Sequence, residues 1–225
     1  MHRSLFRTFS ATILVLLLAG SGSANSYKVD PAHSSVEFSI RHIVSRVTGS
    51  FTDFSGSIMY DPEQVEKSTV EATIQIGSID TRNEKRDNHL GSPDFFDTKK
   101  YPEMSFKSTG VKKQGDKLLA TGDLTLHGVT KSVVLTVEVL GTGVHPMSKA
   151  PVAGFAGETV IKRSDYGVNN WTDVTGMLGD EVRISLNIEA AGTKGANPCN
   201  PCGKNPCNPC NPCGKADNPC NPCGK

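Results

Sequence analysis

Strict alternation of apolar and polar side chains recurs along this chain in widely separated segments, and it narrows the accessible folds more than any other feature. Val36, Phe38 and Ile40 alternate with Ser35, Glu37, Ser39 and Arg41. The same period returns at Val70, Ala72, Ile74 and Ile76, at Val133, Leu135, Val137 and Val139, and at Val182, Ile184, Leu186 and Ile188. A two-residue period buries one face of a sheet and wets the other. Weaker strand candidates cover 27–30, 47–60 with a bend at Gly56, 103–109, 118–126 and 153–163. Turn-forming pairs such as Asp61-Pro62, Gly115-Asp116, His127-Gly128 and Thr142-Gly143 separate them. A parallel α/β sheet would need a crossover helix between most of these strands, and the pattern has no room for them. The expected fold is all-β, an antiparallel barrel of about eight strands. Such a barrel is either filled by its own side chains or holds one small ligand.

One stretch breaks the β period. Thr81 followed by Glu84 has the spacing of a capping box, which predicts a short helix over 82–90, and Ser92-Pro93 suits the start of a further helical turn. The segment from Arg86 to Phe106 mixes many charges with Leu90, Phe95, Phe96, Tyr101, Met104 and Phe106. Large apolar side chains contribute roughly 1.5 to 3 kcal/mol each only when buried, so this segment is expected to pack over one end of the barrel. Phe95 and Phe96 then act together, as a plug or as a gate.

The ends of the chain read differently from its middle. Arg3 and Arg7 precede an apolar run over 11–20 and the small residues 21–24, the pattern of a secretory signal peptide cleaved near Ala24. That run is short for a membrane span of about 20 residues, so no stable membrane anchor is expected; an uncleaved anchor is the competing reading. Residues 25–190 carry 18 Lys and Arg against 22 Asp and Glu, which excludes the basic footprint of a nucleic-acid-binding protein. All 7 cysteines lie beyond residue 190, so the domain must be held by burial alone.

Several blocks along residues 27–190 resemble the YceI family. Tyr27-Lys28-Val29-Asp30-Pro31-Ala32-His33-Ser34 leads into Val36, Phe38 and His42, and Gly49-Ser50-Phe51 follows with Phe54 and Gly56. Ser78-Ile79-Asp80-Thr81 runs into Arg86-Asp87, His89-Leu90, Asp94-Phe95-Phe96-Asp97, Tyr101-Pro102 and Phe106. Gly122-Asp123-Leu124-Thr125-Leu126-His127-Gly128-Val129-Thr130 and Arg163-Ser164-Asp165-Tyr166-Gly167 complete the set. The resemblance implies a lipocalin-like barrel, delivered to the periplasm, whose apolar interior binds or carries a polyisoprenoid or quinone-like lipid. It also implies a binding protein without a required cofactor, and not an enzyme.

On that reading the inward set Val36, Phe38, Ile40, Ile74, Phe106, Leu124 and Val137 lines a ligand tunnel, although the same alternation would equally fill a closed core. Arg86 and His89 are the candidates to meet a polar head group, against the plainer alternative that Asp87 pairs locally and His89 closes a hydrogen-bonded corner. The histidines at 33, 42, 89 and 127 invite a catalytic reading on a bound lipid, but no Gly-x-Ser-x-Gly, His-Glu-x-x-His or phosphate loop accompanies them. Trp171 is expected to pack within its loop.

Residues 191–225 form a tail in which Asn-Pro-Cys recurs around Cys199, Cys202, Cys207, Cys210, Cys213, Cys220 and Cys223. Dense Pro and Gly without apolar period predicts disorder. Each C-x-x-C spacing suits one soft ion such as Zn²⁺ or Cu⁺, and in an oxidising compartment it equally suits a disulfide; an odd thiol is left for a disulfide-linked partner. A metal- or redox-handling protein is thus the alternative function. A chain ending at Ala190 is expected to keep its β-type circular dichroism and cooperative melt, and a collapsed melt would show that the tail supports the fold.

Overall fold

The computed structural model describes residues 25–170 and 177–192. Eleven strands form its sheet: β1 (Asn25–Val29), β2 (Ser35–His42), β3 (Ser45–Phe51), β4 (Phe54–Tyr60), β5 (Thr69–Gln75), β6 (Ile79–Asp80), β7 (Glu103–Gln114), β8 (Lys117–Leu126), β9 (Val129–Val144), β10 (Pro151–Lys162) and β11 (Leu178–Gly192). One helix, α1 (Glu84–Leu90), lies between β6 and β7. Among the described residues no helix is long and apolar enough to cross a membrane.

These strands reduce to eight walls. β1 and β2 both pair with β11, Tyr27 opposite Gly192 and His42 opposite Leu178, so they are one strand broken by the 3-10 turn Pro31–His33. Pro31 cannot donate to a ladder, and the Asp30 side chain accepts from the Ala32 N–H to cap the turn. β4 and β3 likewise form the next wall, broken at Thr52 and Asp53, and β5 and β6 the third, broken by the turn Ile76–Ser78. The walls then run β7, β8, β9, β10 and β11 in antiparallel order, and β11 returns to β1. The result is a closed eight-wall antiparallel barrel.

Breaks at the same level in three neighbouring walls bend the sheet there. The Thr52 N–H donates to the Ser78 carbonyl at 3.2 Å, and the Asp53 N–H to Ser78 Oγ at 3.0 Å, stitching two of the breaks. Ile76, 0 % exposed, fills the space beneath. Above this level β6 has only two residues, while β7 begins opposite Gln75, so the wall between them is missing. α1 and the turns over residues 91–102 occupy that gap. The β9–β10 ladder also ends early, at Thr136 opposite Glu158; the Thr159 hydroxyl then donates to the Val134 carbonyl at 3.0 Å.

One expectation needed adjusting. The bend over 47–60 falls at Thr52 and Asp53, where side chains and Ser78 can replace the ladder, and Gly56 sits within β4. β11 itself continues to Gly192, with Ala191 paired to Lys28 and Val152. A truncation test therefore belongs after Gly192.

Glycine makes room for two rings on the inner face. A Cβ at Gly49 would sit 2.5 Å from Phe38 Cζ, and one at Gly122 would sit 2.7 Å from Phe106 Cε2 and 2.6 Å from the Lys107 carbonyl oxygen. Gly122→Ala is expected to cost about 1 to 3 kcal/mol by overpacking. Gly110→Ala, where a Cβ meets nothing within 4 Å, should be nearly neutral, and urea denaturation of the two variants checks the contrast.

Candidate functional site

The interior is apolar along its length but not filled along its length. At one end Tyr27, Ala153, Phe155 and Ala190 pack with Tyr60, whose ring meets Phe155 edge-on at 5.7 Å; Val111, Leu118, Ala120 and Leu135 close the same region. In the middle lies a cavity of ≈ 120 Å³, and towards α1 a larger one of ≈ 260 Å³. Met104 and Ile184 line both, so the two compartments adjoin at these side chains.

α1 and the turns after it form the lid of the larger cavity. Asn83, not Thr81, caps the helix: its side chain accepts from the Arg86 N–H at 3.0 Å. Thr81 is buried instead, and its hydroxyl donates to Asp87 Oδ1 at 2.5 Å while accepting from Arg86 Nε at 2.7 Å. Asp87 also accepts from the Thr81 N–H, and Arg86 Nη2 donates to the Thr81 carbonyl. The capping-box expectation is thus replaced by a side-chain network that ties the helix to the end of β6. Ser92 and Pro93 open hydrogen-bonded turns rather than a second helix, the Ser92 carbonyl accepting from the Phe95 and Asp97 N–H groups.

Phe95 is 6 % exposed and Phe96 half-buried, and both line the cavity from the lid side. His89 lies with Nε2 3.2 Å from Asp94 Oδ2 and its ring edge-on to Phe95 at 5.1 Å. Behind this layer Tyr101 packs on His127 at 4.5 Å, His127 Nδ1 lies 3.1 Å from the Tyr166 carbonyl, and the Asn170 amide donates to the Asp94 carbonyl.

The sequence-predicted residues separate by level. Phe38, Ile40, Arg86 and His89 line the larger cavity, and Val36, Ile74, Phe106 and Leu124 the smaller. Val137 lines neither: it stands opposite Leu118 and Gly157 and packs in the filled end. Its period was right and its level was not, because alternation fixes a face and not a height along the barrel. The seven tail cysteines, the N-terminal 24 residues and Trp171 lie outside the described residues.

The residue that sequence reasoning placed in a strand and a family block but did not name for the site is Arg163. It continues the inward parity of Ala153, Phe155, Thr159 and Ile161 just past the end of β10, and it is 4 % exposed. Nε donates to the Gly179 carbonyl at 2.9 Å, and Nη1 to the Val168 and Asn170 carbonyls at 2.9 and 2.7 Å. Burial pushes its pKa down from the ordinary guanidinium value, with Asp180 opposing. The strand candidate over 153–163 already reached it, and its inward parity was the signal that could have marked it as a cavity residue.

Away from the barrel interior, Asp30, His33 and Glu189 offer ligand atoms within 4.8 Å of one another. His33 Nδ1 lies 2.8 Å from Asp30 Oδ2, which raises the His33 pKa and lowers that of Asp30, and the pair closes the turn between β1 and β2.

The YceI-like domain model matches residues 27–190. The chain belongs to the YceI family. The UPF0312 protein plu2095 of Photorhabdus laumondii is 41 % identical over 183 residues, covering 80 % of this chain and 93 % of that protein. Among solved structures, Burkholderia cenocepacia BcnA superposes with a TM-score of 0.66 at 29 % identity, covering 72 % of this chain and 98 % of that one. A polyisoprenoid binding domain from Saccharophagus degradans, implicated in plant cell wall breakdown, shares the fold with a TM-score of 0.55 at 16 % identity, covering 76 % and 100 %. The YceI barrel is therefore the frame in which this lid and cavity sit.

Asp87→Ala leaves the buried Thr81 N–H and hydroxyl without their acceptor, which is expected to cost about 1 to 3 kcal/mol. The loss should appear as faster amide exchange over residues 84–102 than over β8 or β11, and uniform acceleration would mean that the network supports the whole barrel.

Proposed function

We propose that the barrel binds or carries a long apolar lipid of the polyisoprenoid type, with the chain along the two adjoining cavities and its end beneath α1. The observation that carries this reading is a run of inward apolar side chains that encloses empty space instead of filling it. Close packing is the rule in protein interiors, and each void forfeits contacts on one side, so an unfilled apolar interior lowers stability unless something occupies it. That one structural neighbour is a polyisoprenoid binding domain supports the same ligand class. A quinone-like head on an isoprenoid chain fits within this reading.

The magnitudes are adequate. About ten buried methylene equivalents at roughly 0.8 kcal/mol each give about 8 kcal/mol, which corresponds to micromolar binding before ordering costs. An apolar cavity with its polar groups confined to one end suits binding rather than turnover. The signal-peptide pattern at residues 1–24 supports a periplasmic setting for this role, where a lipid crossing water needs a carrier. The Asn-Pro-Cys tail adds a second, separable proposal, soft-metal or disulfide chemistry, because its C-x-x-C spacing is independent of the barrel.

Native mass spectrometry of the purified chain followed by organic extraction is expected to find one long-chain amphiphile per barrel. Ile184→Trp, which puts a large ring at the junction of the two cavities, should lower that occupancy several-fold while the melt stays cooperative. Full occupancy in that variant, or no lipid in the parent chain under any growth condition, would remove the reading.

A further inference from the structure

The β2–β3 hairpin turns in two residues: His42 pairs with Ser45, and Ile43 and Val44 make the loop. Loops of this length favour Asn or Gly, because their backbone takes positive φ. Here the residue at positive φ, 53°, is Ile43, and for a β-branched side chain that conformation is a genuine outlier. The Ile43 N–H donates to the Met177 carbonyl at 2.8 Å, and its carbonyl accepts from Arg41 Nη1 at 3.1 Å, so the conformation is held from both sides. Ile43 is 52 % exposed and Val44 97 %. Local preference is set aside at this turn, and the result is two adjacent aliphatic side chains at a hairpin tip.

The flanks of this tip are basic. Arg41 and Arg46 stand directly opposite each other in the β2–β3 ladder, both exposed, an arrangement that like-charge repulsion disfavours. Arg82 brings a third guanidinium to the outer face of β3, its Nη2 donating to Thr48 Oγ1 at 3.1 Å. A groove beside the hairpin adds Lys162 and Arg183, together with Asp180 and Glu181. The carboxylates of this region are engaged. Asp180 accepts from the Ser164 N–H and hydroxyl, Glu181 stands opposite Lys162, Glu158 lies 3.9 Å from Arg183, and Asp80 accepts from the Arg82 N–H. The balance nearest the tip is positive.

Two aliphatic side chains offer far less area than a stable protein interface, which buries on the order of 1,000 Å². Inserted among lipid head groups they need no matching surface, and flanking arginines meet anionic phosphates there. We propose that the β2–β3 turn is a membrane-docking tip, which seats the barrel reversibly on an anionic bilayer with Ile43 and Val44 among the head groups. Ile40, His42 and Val47 of the same hairpin line the larger cavity, so a bilayer that takes the tip lies against the α1 end of the barrel. Two other exposed aliphatics, Val144 and Met147, belong to the β9–β10 turn at the opposite, packed end. The proposal goes beyond the lipid-binding reading, because it concerns the surface the barrel meets and not the contents of its cavity.

The test is co-sedimentation of the purified chain with phosphatidylcholine vesicles, with and without phosphatidylglycerol. The anionic vesicles are expected to bind at least tenfold more tightly than the neutral ones, and less so as salt rises. Replacing the loop by Ile43→Asn with Val44→Gly supplies the residues that the turn favours, so the melt should stay cooperative at an equal or higher temperature while binding to anionic vesicles falls at least tenfold. Arg41→Gln with Arg46→Gln should bring the two vesicle types within about threefold of each other, and Met147→Ser should change nothing. A parent chain that binds neither vesicle overturns the proposal. Undiminished binding of the loop variant would mean that another part of the chain holds the membrane, and equal loss in Met147→Ser would mean that the packed end does; either overturns it. A parent dimer that the loop variant dissociates, without vesicle binding, would make the tip a protein contact and also overturns it. Should the loop variant lose its cooperative melt, the arginine pair decides. Lipid extraction from the parent chain is read separately: vesicle binding by a barrel that yields no lipid leaves docking standing and removes the lipid reading, and lipid without vesicle binding does the reverse.

Discussion

A barrel satisfies every wall's backbone only if its first and last strands meet, and here β11 makes that junction. One edge of β11 follows β10 from Glu181 to Ala191, and the other serves β2 up to Asn187 and then β1 from Ala190. The switch between those partners falls where Pro31 and Ala32 interrupt the first wall, and Ser34 Oγ bridges it by donating to the Glu189 carbonyl and accepting from the Glu189 N–H. Without this side-chain splice the ring would carry unpaired backbone groups in mid-wall, each costing as much as a lost hydrogen bond. The asymmetry of the rest follows. The unbroken walls β7 to β11 hold the barrel, whereas the three broken walls bend and leave the gap that α1 fills.

That gap explains why the polar chemistry gathers at one end. Where the ladder is complete, inward positions are apolar and the interior closes over Phe155, Tyr60 and Leu118. Where it is incomplete, at β6 and at the parting of β9 from β10, backbone carbonyls such as those of Thr81, Val168 and Gly179 have no strand partner and are taken by arginine donors. Arg86 and Arg163 thus first serve as fasteners of unfinished sheet. Arg86 secures the lid helix, and Arg163 holds the returning segment before β11. Arg86 uses Nε and Nη2 on Thr81, whereas Arg163 uses Nε and Nη1 on three backbone carbonyls and leaves Nη2 without a partner.

Much of this was legible in the sequence because period-two alternation is a local signal with a single physical cause. The four strictly alternating strands, the one helical insertion that breaks their period and the inward facing of Val36, Phe38, Ile40, Ile74, Phe106 and Leu124 all follow from it. What was not legible depends on non-local pairing. β6, two residues long, exists only because β3 offers Ser50 and Phe51 to it. Thr81 loses the capping role to Asn83 because Asp87 and Arg86 claim its hydroxyl, a contest that spacing alone does not reveal. Val137 was misplaced because height along a barrel is set by stagger between walls, which no single strand encodes.

The junction of the two cavities is where stability and the proposed lipid occupancy meet. Ile184 is β-branched and stiff, held in β11 between Phe38 and Thr159. Met104, which faces the same junction from the start of β7, is unbranched and has rotatable bonds enough to fill irregular space or withdraw from it. An apolar chain longer than the α1-end cavity must pass this pair, and the methionine is the side that yields. The waist can therefore be packed when the barrel is empty and open when it is threaded, without disturbing the ladder on either side. A leucine at 104 would keep the volume and lose much of that adaptability, so under the proposed lipid reading the admission of a long chain would rest on the flexibility of one thioether.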